Sequence, residues 1–268
     1  MSDVLRQIDN LDISLFDAIP SQTSVQDRRS LLAVQRSTAR KHQEFVYLEI
    51  GSHLGGSIQP YLVDHRCKKI ISIDPRPFQQ PDDRSPGYIA TYENNSTEHM
   101  LKLLGEIDPP ALSKIEYFDD DASEIDISKA HFRANVAFID GEHTTKKVIS
   151  DFQFCNKILF EDGTVLFHDF EIIFPAILEI LRILKRQKRE FIPLKLYGSV
   201  FGIFFDPNKI YSDPFFSEIY ARNKGFLITY RMIWVLKKFL PRPLMNLFRN
   251  IHRFIGIDIT LTKGLPNK

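Results

Sequence analysis

The stretch Val46–Leu62, "VYLEIGSHLGGSIQPYL", reads as a buried strand running into a glycine-rich turn and then a short helix. Such a turn commonly receives a cofactor. Its spacing is Gly51-x-x-x-Gly55-Gly56, which is not the Gly-x-Gly-x-x-Gly of a dinucleotide site, and Glu49 stands two residues before the first glycine.

Outward from this stretch, strands and helices alternate. Apolar runs predict strands at 45–50, 68–74, 114–118, 134–140 and 163–169, the last after a turn at Asp162-Gly163. Helical spacing marks 24–40, which opens on Ser24 with Asp27 three residues on, and also 56–65, 95–107, 144–160 and 175–188. Pro60 has to lie in the first turn of its short helix, and Pro175 stands at the predicted start of the last one. Residues 191–206 read as an antiparallel hairpin about Gly198. Short, nearly all-apolar strands between helices are what a parallel sheet covered on both faces requires. The expected fold is α/β: a doubly wound, Rossmann-like, mostly parallel seven-stranded sheet with a C-terminal antiparallel hairpin and a basic helical tail.

The chain has 268 residues, is 43% hydrophobic and 26% charged, and carries a formal net charge of +1, which argues against a generally basic nucleic-acid binder. Cys67 and Cys155 lack metal-ligand spacing and read as reduced thiols. The first twenty residues carry charges throughout and do not read as a secretory signal, and no run of 18 apolar residues predicts a membrane span. The expected compartment is the cytoplasm.

In a doubly wound sheet, ligands bind beyond the carboxyl ends of the strands. Those ends carry Glu49 to Gly56, Asp74, Asp119 to Ser123, Asp140 to His143, and His168-Asp169. Each is individually explained by capping or turn chemistry, since aspartates cap helices and glycines make turns. Five successive polar strand ends are harder to attribute to capping alone.

The segments "LEIGSHLGGS", "IISIDP", "FIDGEH" and "VLFHD", in this order, resemble class I S-adenosylmethionine-dependent methyltransferases. More narrowly, they are similar to a subgroup with a strand-end IDG-x-H and a later HD, many of whose members methylate sugar hydroxyls or natural products. The resemblance spans about residues 24–206. It implies a zwitterionic sulfonium cofactor without phosphate, held by close backbone approach at Gly51 and Gly55 with the Glu49 carboxylate near its ammonium group. Asp74 would accept the ribose hydroxyls, and the turn at Asp121, Ala122 and Ser123 would lie against the adenine. His143, with an ordinary pKa near 6.5, is the candidate base for a hydroxyl acceptor, and Asp140 is placed beside it. Some relatives hold a divalent metal here, so Asp140, Asp169 and His168 are the candidate ligands for magnesium or manganese. Histidine at 168, where a carboxylate is common, is a poor magnesium ligand. Without a metal, Asp140 and Asp169 would orient His143 or bond the acceptor. His42, His53, His65, His99, His131 and His252 read as surface or packing residues, although His53 lies inside the glycine turn.

Between Glu218 and Asp258 no acidic residue occurs, while arginines and lysines alternate with large apolar residues. This tail fits either helices packed on the core or on a second copy of the chain, or a basic amphipathic surface against the inner face of a membrane. The expected organisation is therefore an N-terminal helical segment (1–42), a cofactor-binding domain (43–207) and a basic helical extension (208–268). The expected activity is O-methylation of a sugar, glycan or related small molecule. The residues leave open an NAD-dependent oxidoreductase or epimerase and a non-catalytic scaffold.

Overall fold

A computed structural model of the chain describes residues 3–129, 131–223 and 225–239. Its contacts divide the chain into two units, Met1–Lys209 and Ile210–Lys268.

The first unit is built on a seven-stranded sheet. The chain runs through α1 (Asp3–Asp9), α2 (Val25–Lys41), β1 (Phe45–Ile50), α3 (Gln59–Val63), β2 (Cys67–Ile73), β3 (Gln79–Pro81), β4 (Ile89–Thr91), α4 (Thr97–Ile107), β5 (Ile115–Phe118), β6 (Ala134–Ile139), α5 (Thr145–Ile158), β7 (Leu159–Phe167), α6 (Phe170–Arg186), β8 (Ile192–Lys195) and β9 (Phe201–Phe204). The sheet order is β5-β2-β1-β6-β7-β9-β8, with β5 through β7 parallel and β9 antiparallel to both neighbours. This is the doubly wound, mostly parallel sheet with a terminal hairpin that the apolar runs predict. β1 and β6 are almost wholly buried, as strands flanked on both faces must be. Both cysteines are free and buried.

Three local readings change. The Asp162-Gly163 pair does not break the chain: β7 runs unbroken from Leu159 to Phe167, and the pair is absorbed where pairing slips from Ala134↔Leu159 to Val136↔Thr164. Helix α6 starts five residues before Pro175, so the proline lies inside it. Asp169, in the left-handed region at φ 51°, turns the chain from strand to helix, and buried Phe170 and Phe174 hold that first turn with rings 5.4 Å apart. The region between β2 and α4, where the apolar runs predict no strand, carries the small antiparallel hairpin β3–β4.

Helix α2 begins with the predicted capping box: Ser24 and Asp27 satisfy each other's backbone N–H groups. Asp27 does more than cap, because its Oδ1 accepts the Ser199 N–H at 2.6 Å and so fastens α2 to the β8–β9 turn. Gly198 makes room for this contact; a Cβ there would lie 2.0 Å from Asp27 Oδ1, at a backbone φ of +71°.

Helix α7 (Pro207–Ser212) follows β9; in the second unit, α8 (Pro214–Arg222) is capped by Asp213, and α9 (Phe226–Phe239) comes next. Along α9, Ile228, Met232 and Val235 are exposed. No helix among the described residues is long and apolar enough to cross a membrane. The remainder of the basic tail, from 240 on, lies outside the described residues.

Replacing Gly198 with Ala is expected to lower stability by about 2–4 kcal/mol, through both left-handed strain and the collision with Asp27. Chemical denaturation checks this; a change below about 0.5 kcal/mol would mean that the turn relaxes freely.

Candidate active site

The parallel register brings four strand ends to one edge of the sheet. The Gly51 N–H bonds to Ile73 O (2.8 Å), Asp140 N–H to Ile50 O (2.8 Å), Asp74 N–H to Phe118 O (3.0 Å) and His168 N–H to Ile139 O (3.0 Å). These bonds continue the ladders one residue past the strands, so the polar residues that follow leave the sheet side by side.

A cavity opens there. Gly51, His53, Asp74, Pro75, Asp121, Ala122, Asp140, Gly141, Lys147 and Asp151 line its sheet side, and Gln79, Gln80 and Pro81 of the β3 segment lie against it. Gly51 is at φ +89°, and a Cβ on it would stand 2.4 Å from the Asp140 carbonyl oxygen, so this turn passes the β6 end without a side chain. Gly55 is placed elsewhere, against Met100 and Leu104 of α4, and does not line the cavity. Asp74 accepts the His53 N–H (2.9 Å) and the Arg76 N–H (2.9 Å). Asp121 accepts Lys147 Nζ at 2.8 Å, and Ala122 is buried, while Ser123 lies on the solvent side and donates to Asp121.

Glu49 is fully buried below the glycine turn and is not on the cavity wall. Its oxygens take the Tyr47 hydroxyl (2.9 Å) and the Ser57 hydroxyl. Burial pushes its pKa up to about 8, against those two hydrogen bonds, so the carboxyl is mostly protonated near neutrality.

Beside the cavity, acids and imidazoles alternate. Asp27 Oδ2 lies 3.4 Å from His168 Nε2, and His168 Nδ1 lies 3.0 Å from Asp140 Oδ1. His143 Nε2 is 3.7 Å from both Asp140 Oδ1 and Asp169 Oδ2, while its Nδ1 meets Asp82 Oδ2 at 2.9 Å. Arg84 grips Asp82 with Nε and Nη2 and comes within 3.9 Å of Asp169. Burial disfavours the charged ring of His143, yet the surrounding carboxylates of Asp140, Asp82 and Asp169 overcome it and raise its pKa to about 9. His168 is raised too, by Asp140, Asp27 and Asp169 against burial. Burial raises Asp140, but the neighbouring imidazoles more than compensate and hold it below the usual carboxylate range.

The structure thus gathers Asp140, His143, His168 and Asp169 in one cluster, and Gly51, Asp74, Asp121 and Ala122 around one cavity. Sequence reasoning missed Asp82, Arg84, Lys147 and Asp151, and took Asp27 only as a cap; His53, read as packing, is on the cavity wall. The donor set at Asp140, His168 and Asp169 does not fit magnesium or manganese. Histidine is a poor ligand for these hard cations, and the two nitrogens of His168 already face carboxylates, Asp27 at 3.4 Å and Asp140 at 3.0 Å. Among the described residues, no group of three or more His, Cys, Asp or Glu side chains is set to hold a metal ion.

A family model described as a methyltransferase domain matches residues 48–170, the stretch from β1 to the first residue of α6. The uncharacterized protein R132 of Acanthamoeba polyphaga mimivirus is 27% identical over 129 residues, 48% of this chain and 52% of that protein, so the match spans about half the curated relative's length. The structure of the O-methyltransferase NovP matches with a TM-score of 0.56 at 11% identity, over 75% of this chain and 99% of that one. The O-methyltransferase TomG from Streptomyces achromogenes, in complex with SAM, matches with a TM-score of 0.48 at 14% identity, over 77% and 91% of the two chains.

A carboxyl that gains protons on folding costs stability as pH rises from the unfolded value near 4.5 toward its folded value near 8. Glu49→Gln, which keeps shape and neutrality, is therefore expected to flatten the stability profile between pH 5 and 8 and to raise the melting temperature at pH 8 by roughly 5 °C. A melting series across that range checks it; a variant less stable than wild type at pH 8 would show that the site holds an ionised carboxylate.

Proposed function

We propose that residues 48–170, which match a methyltransferase-domain model, form a class I S-adenosylmethionine-dependent methyltransferase domain that transfers the methyl group to a hydroxyl of a sugar, glycan or related small molecule. The observation that carries the reading is His143 Nε2. It is buried without a hydrogen-bond partner among the described residues, and it stands 3.7 Å from the carboxylates of Asp140 and Asp169. That gap is too wide for a direct hydrogen bond and leaves Nε2 to bond an acceptor hydroxyl brought alongside the two carboxylates.

The cofactor site would be the cavity beside this cluster. Gly51 allows close backbone approach, Asp74 offers its carboxylate to the ribose, and Pro75 and Ala122 offer apolar faces for the adenine beside Asp121. Glu49 supports the turn from beneath, through Ser57 and Tyr47, and Gly55 supports it through α4. In the reaction the acceptor oxygen attacks the methyl carbon, the carbon–sulfur bond breaks, and the thioether S-adenosylhomocysteine departs. The hydroxyl proton passes to His143 Nε2. Asp140 and Asp169 orient the hydroxyl and balance the resulting imidazolium, and in-line positioning supplies much of the rate. Around Nε2, carboxylates and the Arg84 guanidinium offer partners to neighbouring hydroxyls, which favours a polyhydroxylated acceptor.

Because the His143 pKa is raised to about 9, the ring is mostly protonated at neutral pH and becomes a competent base as pH rises. We expect kcat/KM to climb about tenfold per pH unit below 9 and to level off above it, with His143→Gln costing about 10²–10⁴ in kcat. A flat profile from pH 6.5 to 9 would remove His143 as base. Calorimetric titration with S-adenosylhomocysteine and with NAD tests the cofactor; binding of NAD alone would overturn the methyltransferase reading in favour of an oxidoreductase.

The second unit extends the proposal to peripheral contact with anionic membrane. On α9, Ile228, Met232 and Val235 recur at helical spacing and are exposed, within a run from 219 to 257 that has basic but no acidic residues. Co-flotation with phosphatidylserine-containing vesicles is expected for the wild-type chain and is expected to drop at least about fivefold in an Ile228→Glu, Met232→Glu double variant. Equal flotation of the two would sink the idea.

A further inference from the structure

We infer that Asp82 is the positioning residue of the proposed base, carried to His143 by the β3–β4 hairpin; this rests on the reading of His143 as that base. Asp82 follows β3 directly and lies 61 residues from His143 in sequence, yet its side chain is only 1% exposed and its Oδ2 accepts from His143 Nδ1 at 2.9 Å.

The carboxylate is itself fixed. Oδ1 accepts the Arg84 backbone N–H (2.7 Å) and Nε (3.0 Å), and Oδ2 accepts Arg84 Nη2 (2.9 Å). The next residue fastens the same hairpin at a second point: Asp83 Oδ2 accepts both the Thr145 N–H (2.8 Å) and its hydroxyl (3.0 Å). The hairpin is therefore latched to residues 143 and 145 together, at the start of α5. A short β-hairpin of three-residue strands has little stability of its own, so these latches define its position.

The chemical consequence lies in the imidazole. A carboxylate on Nδ1 accepts a hydrogen bond and cannot give one, so Nδ1 keeps its proton in the neutral ring. The lone pair is then on Nε2, which faces Asp140 and Asp169 where the acceptor hydroxyl is to sit. Without Asp82 both tautomers are open, and one of them places a proton on the nitrogen that must receive one. Gln79, Gln80 and Pro81 of the same hairpin lie against the cofactor cavity. Seating the hairpin over the cavity and setting the base are thus one event.

Asp82→Asn tests this directly. The amide oxygen would be drawn to the Arg84 donors, leaving the amide NH₂ facing His143 Nδ1, which must then accept; the ring proton moves to Nε2. Nitrogen-15 histidine spectra are expected to show the Nδ1–H tautomer in the neutral wild-type ring and the Nε2–H tautomer in the variant. The variant's kcat is expected to fall about 10²-fold or more, while the Kd for S-adenosylhomocysteine and the acceptor KM stay within about threefold. Asp83→Ala, which loosens the latch without touching the imidazole, should keep kcat within about threefold of wild type. Unchanged kcat or an unchanged tautomer in Asp82→Asn overturns the inference. So does loss of cofactor affinity in parallel with kcat, since Asp82 would then only brace the hairpin. If His143→Gln stays fully active, the base reading fails, and the tautomer spectra still decide whether Asp82 sets the ring.

Discussion

Everything at the site depends on the parallel register of β1 with β2 and β6. Because the three strands end level, single backbone bonds beyond each end, such as Asp140 N–H to Ile50 O and Gly51 N–H to Ile73 O, tie the exits of neighbouring strands together. A slip of one residue would turn Asp140 or Asp74 to the opposite face. The close packing of Gly51 on the Asp140 carbonyl enforces that alignment sterically. The cavity and the acid–imidazole cluster are thus two sides of one ridge of backbone, with Asp140 belonging to both.

The cluster then solves an electrostatic problem. Asp27, Asp82, Asp140 and Asp169 would repel one another in a partly buried space, and His143 and His168 stand between them. The pKa directions are the signature of that arrangement: both imidazoles rise, and Asp27, Asp82 and Asp140 fall despite the opposing effect of burial. Its ends are anchored in distant parts of the chain, Asp27 by the β8–β9 turn and Asp82 by the hairpin latch. Packing of the N-terminal helix and of the hairpin is therefore felt at the strand ends.

The sheet was legible because its signals are local: short apolar runs, a capping box at Ser24 and Asp27, a hairpin about Gly198. The candidate residues at strand ends were legible as neighbours because topology, not side-chain chemistry, tells which strand ends share one edge of a doubly wound sheet. Where local signals mislead, tertiary context outweighs them. Asp162-Gly163 is a strong turn pair, yet pairing with β6 and β9 stretches it into strand. Pro175 signals a helix start, yet the packing of Phe170 and Phe174 begins α6 earlier. Asp82 and Arg84 were not legible at all, since "PDDRSPG" has the composition of a solvated loop and its partner lies 61 residues on. Glu49 illustrates a subtler limit: its position was read, but not that the hydroxyls of Tyr47 and Ser57 occupy its oxygens.

Histidine at 168 links these points. A carboxylate there would leave Asp140 and Asp169 facing a third acid across a space that only a cation could stabilise. An imidazole in the same place supplies the positive charge from the chain itself, provided something on its far side keeps it protonated, and Asp27 does so from the cap of α2. His168 is thereby biased toward its charged form, and the same pairing holds Asp140 below the usual carboxylate range. The division of labour follows from position: His168 lies between Asp27 and Asp140, 3.4 and 3.0 Å from its two nitrogens, whereas His143 has one nitrogen held by Asp82 and the other 3.7 Å from Asp140 and Asp169.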